Sequence, residues 1–111
     1  VAANGPLDGA QILPADWIEA ISERAFDIPD TFHPSRLSLG LTGYGYGWWL
    51  TDDGGMFAMG HSGQRVYVNR REELAIVNLA AYPEPRYHSS SEHDRDAELQ
   101  SLIAACRAHT Q

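Results

Sequence analysis

Hydrophobic and polar residues recur with a helical period near the beginning of the chain. In ILPADWIEAISERAF, residues 12–26, the apolar residues Trp17, Ile18 and Ile21 share one face. A proline suits the first turn of a helix, and the acidic residues after it are favoured at the positive end of the helix dipole. The pattern predicts an amphipathic helix, followed by a proline- and glycine-containing loop over residues 27–43.

The pattern changes to alternation with a period of two over residues 43–50. Tyr46 and Trp48 fall on one side of this alternation, and Trp49 falls on the other side with the glycines. A single strand with small residues on one face is predicted, which would let another backbone or a ligand come close. After the turn TDDGG, the segment MFAMGHSG, residues 56–63, predicts a second short strand.

Two segments rich in β-branched residues follow, joined by a polar turn. QRVYVN and LAIVNLAAY flank RREE, which predicts a hairpin over residues 64–82. In DAELQSLIAACRAHT, residues 96–110, four apolar side chains recur at helical spacing and predict a closing helix. The order of helix, loop, strands and helix predicts an α/β (α+β) unit. Its antiparallel strands, three or four in number, are flanked by helices and enclose a thin core.

Composition excludes several classes of function. The 111 residues carry a net charge of -7, which argues against a nucleic-acid-binding surface. No apolar run of about 18 residues predicts a membrane span. The single Cys106 excludes an internal disulfide, and its place on the apolar helix face predicts a buried small hydrophobe. The spacing of His33, His88, His93 and Asp94 matches no compact ligand set, so no metal site is predicted.

The segment GHSGQ concentrates the groups that can do chemistry. At a strand end, His61 and Ser62 would present an imidazole and a hydroxyl, while Gly63 would let a substrate lie against the backbone. The main-chain N–H of Gln64 would be available to a developing oxyanion, an interaction worth about 10²–10³ in rate. The simpler alternative is that His61 and Ser62 merely end a strand.

With its flanking segments, GHSGQ resembles the serine β-lactamase and penicillin-binding-protein superfamily, in particular its class C-like esterases, amidases and aminohexanoate-dimer hydrolases. An inner strand of that superfamily carries a Lys/His-Ser/Thr-Gly triplet that faces the nucleophilic serine. The matching segments follow in the family's order over residues 4–108: NGPLDGAQILPADWI, YGYGWW, the triplet, QRVYVNRREELAIVNL and the closing helix. The resemblance implies that residues 1–111 are the C-terminal segment of a β-lactamase-like catalytic domain.

The resemblance also implies a role for each residue of the segment. His61 stands where many relatives have lysine, and would hydrogen-bond a substrate carboxylate or the hydroxyl network near the nucleophile. Ser62 would extend that network, and Gln64 would contribute its N–H to the oxyanion hole. The implied substrate is a small ester or amide, and the implied reaction needs no metal or organic cofactor. The catalytic wall would consist of His61, Ser62, Gly63 and Gln64. An acyl or amine pocket would be lined by Tyr46, Trp48 and Trp49, each of which has plain core packing as its alternative.

Two elements of the family's catalysis are missing from the chain. No serine has a lysine three residues later, and all eight basic residues are arginines. Tyr67 and Asn69 spell a Tyr-x-Asn element, but it follows the triplet instead of preceding it, so we interpret it as a chance match. We therefore expect the nucleophile in an upstream part of the same domain or on a separate partner chain. The alternative function is a stand-alone binding or assembly module that has the fold without the chemistry.

Overall fold

The computed structural model describes residues 5–29, 31, 39–81 and 90–109, and the side chains of the last helix from residue 96 onward. This part of the chain contains two helices, a two-stranded ribbon and a six-stranded antiparallel sheet. The elements are β1 (Pro6–Leu7), β2 (Ala10–Gln11), α1 (Ala15–Ser22), β3 (Phe26–Asp27), β4 (Leu41–Gly45), β5 (Trp48–Thr51), β6 (Gly55–Met59), β7 (Arg65–Asn69), β8 (Leu74–Asn78) and α2 (Ser90–His109).

The six-stranded sheet is a meander in which each strand pairs with its neighbours in sequence, in the order β3-β4-β5-β6-β7-β8. Every described pair is antiparallel. The predicted mixed class, an antiparallel sheet with flanking helices, is therefore confirmed. The expected number of three or four strands was too low.

One reason is that the segment predicted as a single strand over residues 43–50 is a tight hairpin. Tyr46 and Gly47 have φ angles of 50° and 84°, and Gly45 pairs with Trp48 across them. Positive φ at both central residues is the requirement of a type I′ turn, whose twist matches that of the flanking strands. The prediction of one strand was wrong because the turn contains a tyrosine with positive φ. The alternation of side-chain types does not reveal that backbone conformation.

The triplet also departs from the predicted strand over residues 56–63. Strand β6 ends at Met59, and His61–Gly63 form a 3₁₀ turn in which Ser62 has φ 58° and ψ 28° and Gly63 has φ 88°. Left-handed backbone cannot continue a strand, so the ladder stops here. We call His61–Gly63 the triplet turn.

The sheet carries a hydrophobic cluster on each face. On one face α1 packs Ile18 and Ile21 against Leu50, Met56 and Val68. On the other face, α2 packs against the sheet, and we name the two clusters the α1 cluster and the α2 cluster after these helices. That second cluster contains Leu39, Leu41, Phe57, Tyr67, Ile76, Leu99 and Ile103. Adjacent residues of one strand serve opposite faces because side chains alternate across a strand.

Burial in both clusters is deep. Phe57 and Met56 are 1% and 2% exposed, and each such side chain stabilises the fold by about 1.5–3 kcal/mol. The predicted helix over residues 12–26 is confirmed in its centre but is shorter than expected: α1 ends at Ser22, and Phe26 pairs in the sheet instead. Its apolar face is also narrower than predicted, since Trp17 is 45% exposed.

The predicted hairpin after the triplet is confirmed, with β7 paired to β8 from Arg65–Asn78 to Asn69–Leu74. Its turn is organised by Asn69, whose side-chain oxygen accepts the backbone N–H groups of Arg71 and Glu72 at 3.1 and 3.3 Å. The asparagine side chain thus supplies the acceptor that a tight polar turn requires.

Candidate functional site

The triplet turn joins two inner strands of the sheet. It leaves β6 after Gly60 and enters β7 at Arg65. His61 is exposed at the rim, Ser62 is half-buried, and Gly63 is buried beneath them. The His61 imidazole and the Ser62 hydroxyl therefore lie on consecutive residues at one end of the sheet. A ligand lying along this end of the sheet, which we call the rim, would contact both groups.

Three hydrogen bonds close the turn. The N–H of Gly60 donates to the carbonyl of Gln64 at 2.9 Å, and the N–H of Gln64 donates to the carbonyl of His61 at 3.3 Å. The side-chain amide of Gln64 donates to the carbonyl of Ala80, just beyond β8. In this conformation the N–H predicted to face an oxyanion is directed at His61. Because that bond is long, its exchange for a charged acceptor costs little.

A buried charged pair lies directly under the turn. Arg65 Nη1 donates to the carbonyls of Gly60 and Gln64, at 3.2 and 3.0 Å. Its Nε lies 3.9 Å from Asp96 Oδ1, and the two side chains are 2% and 4% exposed. One guanidinium thus connects both ends of the triplet turn to α2.

The predicted aromatic residues lie at the same end of the sheet as the triplet. Since β5 and β6 are antiparallel, with Trp49 opposite Phe57, the start of β5 is next to the end of β6. Tyr46 is 65% exposed, and its ring meets Trp17 edge-on with the centroids 5.2 Å apart. Trp48 packs against the α1 cluster.

Trp49 has a different environment from its neighbour. It packs against the α2 cluster, and its ring meets Tyr44 edge-on at a centroid distance of 4.7 Å. Trp48 and Trp49 therefore serve opposite faces of the sheet. One pocket lined by both indole rings would therefore have to extend around the end of the sheet, from one face to the other.

Two cavities lie at the opposite end, where β5 meets β6. One, of about 430 Å³, is lined by Ser22, Thr51 and Arg70; the other, of about 380 Å³, is lined by Asp53 and Arg107. No predicted site residue lines either cavity. The predicted site residues therefore lie away from both of these cavities, with His61 and Tyr46 exposed.

An ion-pair network fixes this opposite end. Arg107, near the end of α2, donates to Asp53 Oδ2, Glu72 Oε2 and Tyr67 Oη, each at 2.9 Å. The hydrogen bond to Glu72 raises the pKa of Arg107 above its usual value. Burial raises the pKa of the Tyr67 phenol, although the amide of Asn69 and the charge of Arg107 oppose that shift. The network ties α2 to two turns of the sheet.

The pKa of Asp53 is set by opposing effects. Burial raises this pKa. The Thr51 hydroxyl, the Arg107 guanidinium and the Gly55 N–H all donate hydrogen bonds to the carboxylate and together lower the pKa by more. The net direction is downward. Asp53 is therefore held as a carboxylate and serves as an anchor for the Arg107 network.

Sequence reasoning missed the pair beneath the turn. Arg65 occupies the core-facing side of β7 together with Tyr67 and Asn69, and Asp96 shares the α2 stripe of Leu99 and Ile103. An arginine and an aspartate each placed on an apolar stripe are the signal that could have revealed them, because isolated buried charges are costly.

Other predictions concern metals, membranes and Cys106. Cys106 packs against the α2 cluster, as its place on the apolar helix face predicts, but it is half-buried instead of fully buried. His33 and His88 lie outside the described residues, and so do the side chains of His93 and Asp94. Among the side chains that are described, no three His, Cys, Asp or Glu residues group as metal ligands. Neither described helix has a stretch long and apolar enough to cross a bilayer.

No known protein-family model matches this chain, and no curated protein matches it either.

Proposed function

We propose that the chain is the C-terminal segment of a β-lactamase-related serine hydrolase that cleaves small esters or amides. The observation that carries this proposal is the triplet turn, where an exposed His61 and a half-buried Ser62 stand at the end of β6, directly before the β7–β8 hairpin. The same order of strand, triplet, hairpin and closing helix is what the resemblance to that superfamily implies.

In the proposed reaction, a serine upstream of this chain attacks the carbonyl carbon of the substrate and loses its proton to a neighbouring lysine. The acyl–oxygen or acyl–nitrogen bond breaks, the leaving group takes up a proton, and water then hydrolyses the acyl-enzyme. His61 hydrogen-bonds a carboxylate of the substrate or the hydroxyl network near the nucleophile. The N–H of Gln64 turns from the His61 carbonyl to the oxyanion as negative charge develops there.

The exposure of His61 and Tyr46 supports a site that is completed by another segment. Ligand sites usually enclose most of a small molecule in a cleft, whereas His61 and Tyr46 are exposed at the sheet end. In the proposed enzyme the opposite wall carries the Ser-x-x-Lys element, which this sequence lacks. Tyr46 and Trp48 then border the acyl or amine pocket from the β4–β5 turn.

The second candidate is a binding or assembly module without catalysis. It is favoured by one observation: the chain contains no lysine, so it cannot itself provide the activated serine of the proposed mechanism. The two candidates differ in whether that serine exists, either in the natural gene product or on a recruited partner chain, or is absent from both.

The deciding experiment is the intact mass of the natural gene product after treatment with a fluorophosphonate. We expect a chain heavier than 12.3 kDa that gains one adduct, and peptide mapping should place the adduct on a serine followed three residues later by lysine. A natural chain of this mass that is never acylated, alone or with a co-purified partner, would contradict the hydrolase. An adduct on a partner chain would assign the nucleophile to that chain.

The role of His61 has its own test, in which acylation of the same gene product by a small ester that carries a carboxylate is followed. We expect His61→Ala to slow acylation by about 10- to 100-fold, the range for loss of a hydrogen bond to a charged group. His109→Ala is the matched control, because His109 is also exposed but lies at the end of α2. Equal rates for both variants would remove His61 from the mechanism.

A further inference from the structure

We infer that Arg65 is the positioning residue of the triplet turn, and that Asp96 holds the Arg65 guanidinium in place from α2. The catalytic part of this inference rests on the proposed function, whereas the conformational part does not. Neither residue belongs to the triplet.

The first argument is geometric. The turn contains two consecutive residues with left-handed backbone, Ser62 and Gly63. For a non-glycine residue this conformation costs about 1–2 kcal/mol, so it persists only where surrounding contacts hold it. The carbonyls of Gly60 and Gln64 bracket the turn, and Arg65 Nη1 donates to both at 3.2 and 3.0 Å.

The second argument concerns charge. A guanidinium that is 2% exposed needs a negative partner, and Asp96, 4% exposed and 3.9 Å away, provides one. Buried ion pairs contribute little net stability compared with apolar residues of similar volume. The Arg65–Asp96 pair therefore adds little to the stability of the core. Because Arg65 donates to the carbonyls at both ends of the triplet turn, we assign the pair the role of holding that turn.

The identity of the base matters as well. Arginine presents several N–H groups in a rigid planar fork, whereas lysine presents a compact charge on a flexible stem. One fork can face the Asp96 carboxylate with Nε and the two carbonyls with Nη1. Lysine at this position keeps the charge but not that arrangement, so it distinguishes positioning from simple charge compensation.

The test uses the full natural gene product and two variants, Arg65→Lys and the double variant Arg65→Met with Asp96→Leu. Hydrogen exchange is followed by mass spectrometry in a peptide over residues 59–65 and in a reference peptide over β8. In both variants we expect exchange in the turn to accelerate on the order of tenfold while the reference is unchanged. The double variant should keep the urea midpoint of the wild type, because the charges are removed together.

A fluorophosphonate assay on the same proteins adds the catalytic readout. The maximal acylation rate should fall in both variants while the half-saturating probe concentration stays the same, because the turn conformation and not the binding surface has changed. Unchanged turn exchange in a folded double variant would overturn the inference. If the double variant does not fold, wild-type exchange in Arg65→Lys overturns it instead. Accelerated turn exchange in a gene product that is never acylated would refute the proposed hydrolase and leave the positioning role standing.

Discussion

At the scale of single residues, Asn69 is fully buried and makes four hydrogen bonds with its side chain. Its side chain is 0% exposed, and its amide donates to the Asp53 carbonyl and the Tyr67 hydroxyl, both at 3.3 Å. Its oxygen accepts two N–H groups of the β7–β8 turn. One asparagine therefore satisfies backbone groups in two different turns.

We expect Asn69→Ala to lower the free energy of unfolding by about 2–3 kcal/mol, because buried donors and acceptors lose their partners at once. Urea denaturation at neutral pH measures this loss. Asn78→Ala, in the half-buried last residue of β8, is the control and should cost less than about 1 kcal/mol. Similar losses for both variants would show that the turn does not depend on the Asn69 side chain.

Asp53 makes stability depend on acid. Its folded-state pKa lies below the ordinary value of 3.8, so the unfolded chain binds the proton first as the pH falls. The stabilisation is present above the unfolded pKa and is lost as the pH drops through the folded pKa. We expect Asp53→Asn to lose less stability than the wild type between about pH 5 and about pH 2, measured by urea denaturation.

The control for charge alone is Glu98→Gln, which removes one exposed carboxylate from α2. It should follow the wild-type acid profile. If Asp53→Asn also follows that profile, the carboxylate is not the group whose protonation weakens the Arg107 network.

At the scale of elements, the β4–β5 turn combines backbone strain with a favourable ring contact. Tyr46 has φ 50°, where asparagine is much better tolerated, yet its ring meets Trp17 edge-on. Replacing tyrosine by asparagine should relieve about 1 kcal/mol of strain and lose about 0.5–1.5 kcal/mol of ring contact. The two effects nearly cancel in the wild type.

A double-mutant cycle separates them. In the Trp17→Ala background the ring contact is already absent, so Tyr46→Asn should raise the free energy of unfolding by about 1 kcal/mol. In the wild-type background the same change should have a smaller or opposite effect. Equal effects of Tyr46→Asn in both backgrounds, measured by urea denaturation, would mean that the two rings do not interact in solution.

Elements whose pattern is purely local could be predicted from the sequence. The amphipathic stripe gave the centre of α1, and the β-branched arms gave the β7–β8 hairpin, because both depend on side-chain periods within one segment. The breaks at Tyr46 and Ser62 could not be predicted, since only glycine or asparagine normally signals left-handed backbone. The Arg65–Asp96 contact joins residues far apart in sequence, which no local period encodes.

The candidate site divides in the same way. The triplet and the aromatic residues could be selected from the sequence because their residue types are chemically distinctive. Their common position at one end of the sheet follows from the antiparallel register of β5 and β6, which required the structure. The alternation of side chains along a strand already implied that Trp48 and Trp49 lie on opposite faces of the sheet. It did not reveal the hairpin turn, which pairs β4 with β5 beside them.

At the scale of the whole molecule, the sheet ends in an edge that the described chain leaves uncovered. Among the described strands, β8 pairs only with β7. Val77 on this strand is 63% exposed and Leu79 just beyond it is 78% exposed. An apolar edge with unpaired backbone groups is a template for pairing with another strand. In the proposed enzyme, a part of the domain outside this segment covers that edge.

We therefore expect the 111-residue chain, expressed alone, to self-associate as its concentration rises, with light scattering as the measurement. Val77→Lys should reduce association, because a charge on an edge strand opposes strand pairing. Leu102→Lys is the control: Leu102 is 46% exposed but lies on α2 and not on the edge strand. A wild-type chain that stays monomeric throughout would argue that the segment needs no covering strand, and would favour the stand-alone module over part of a larger catalytic domain.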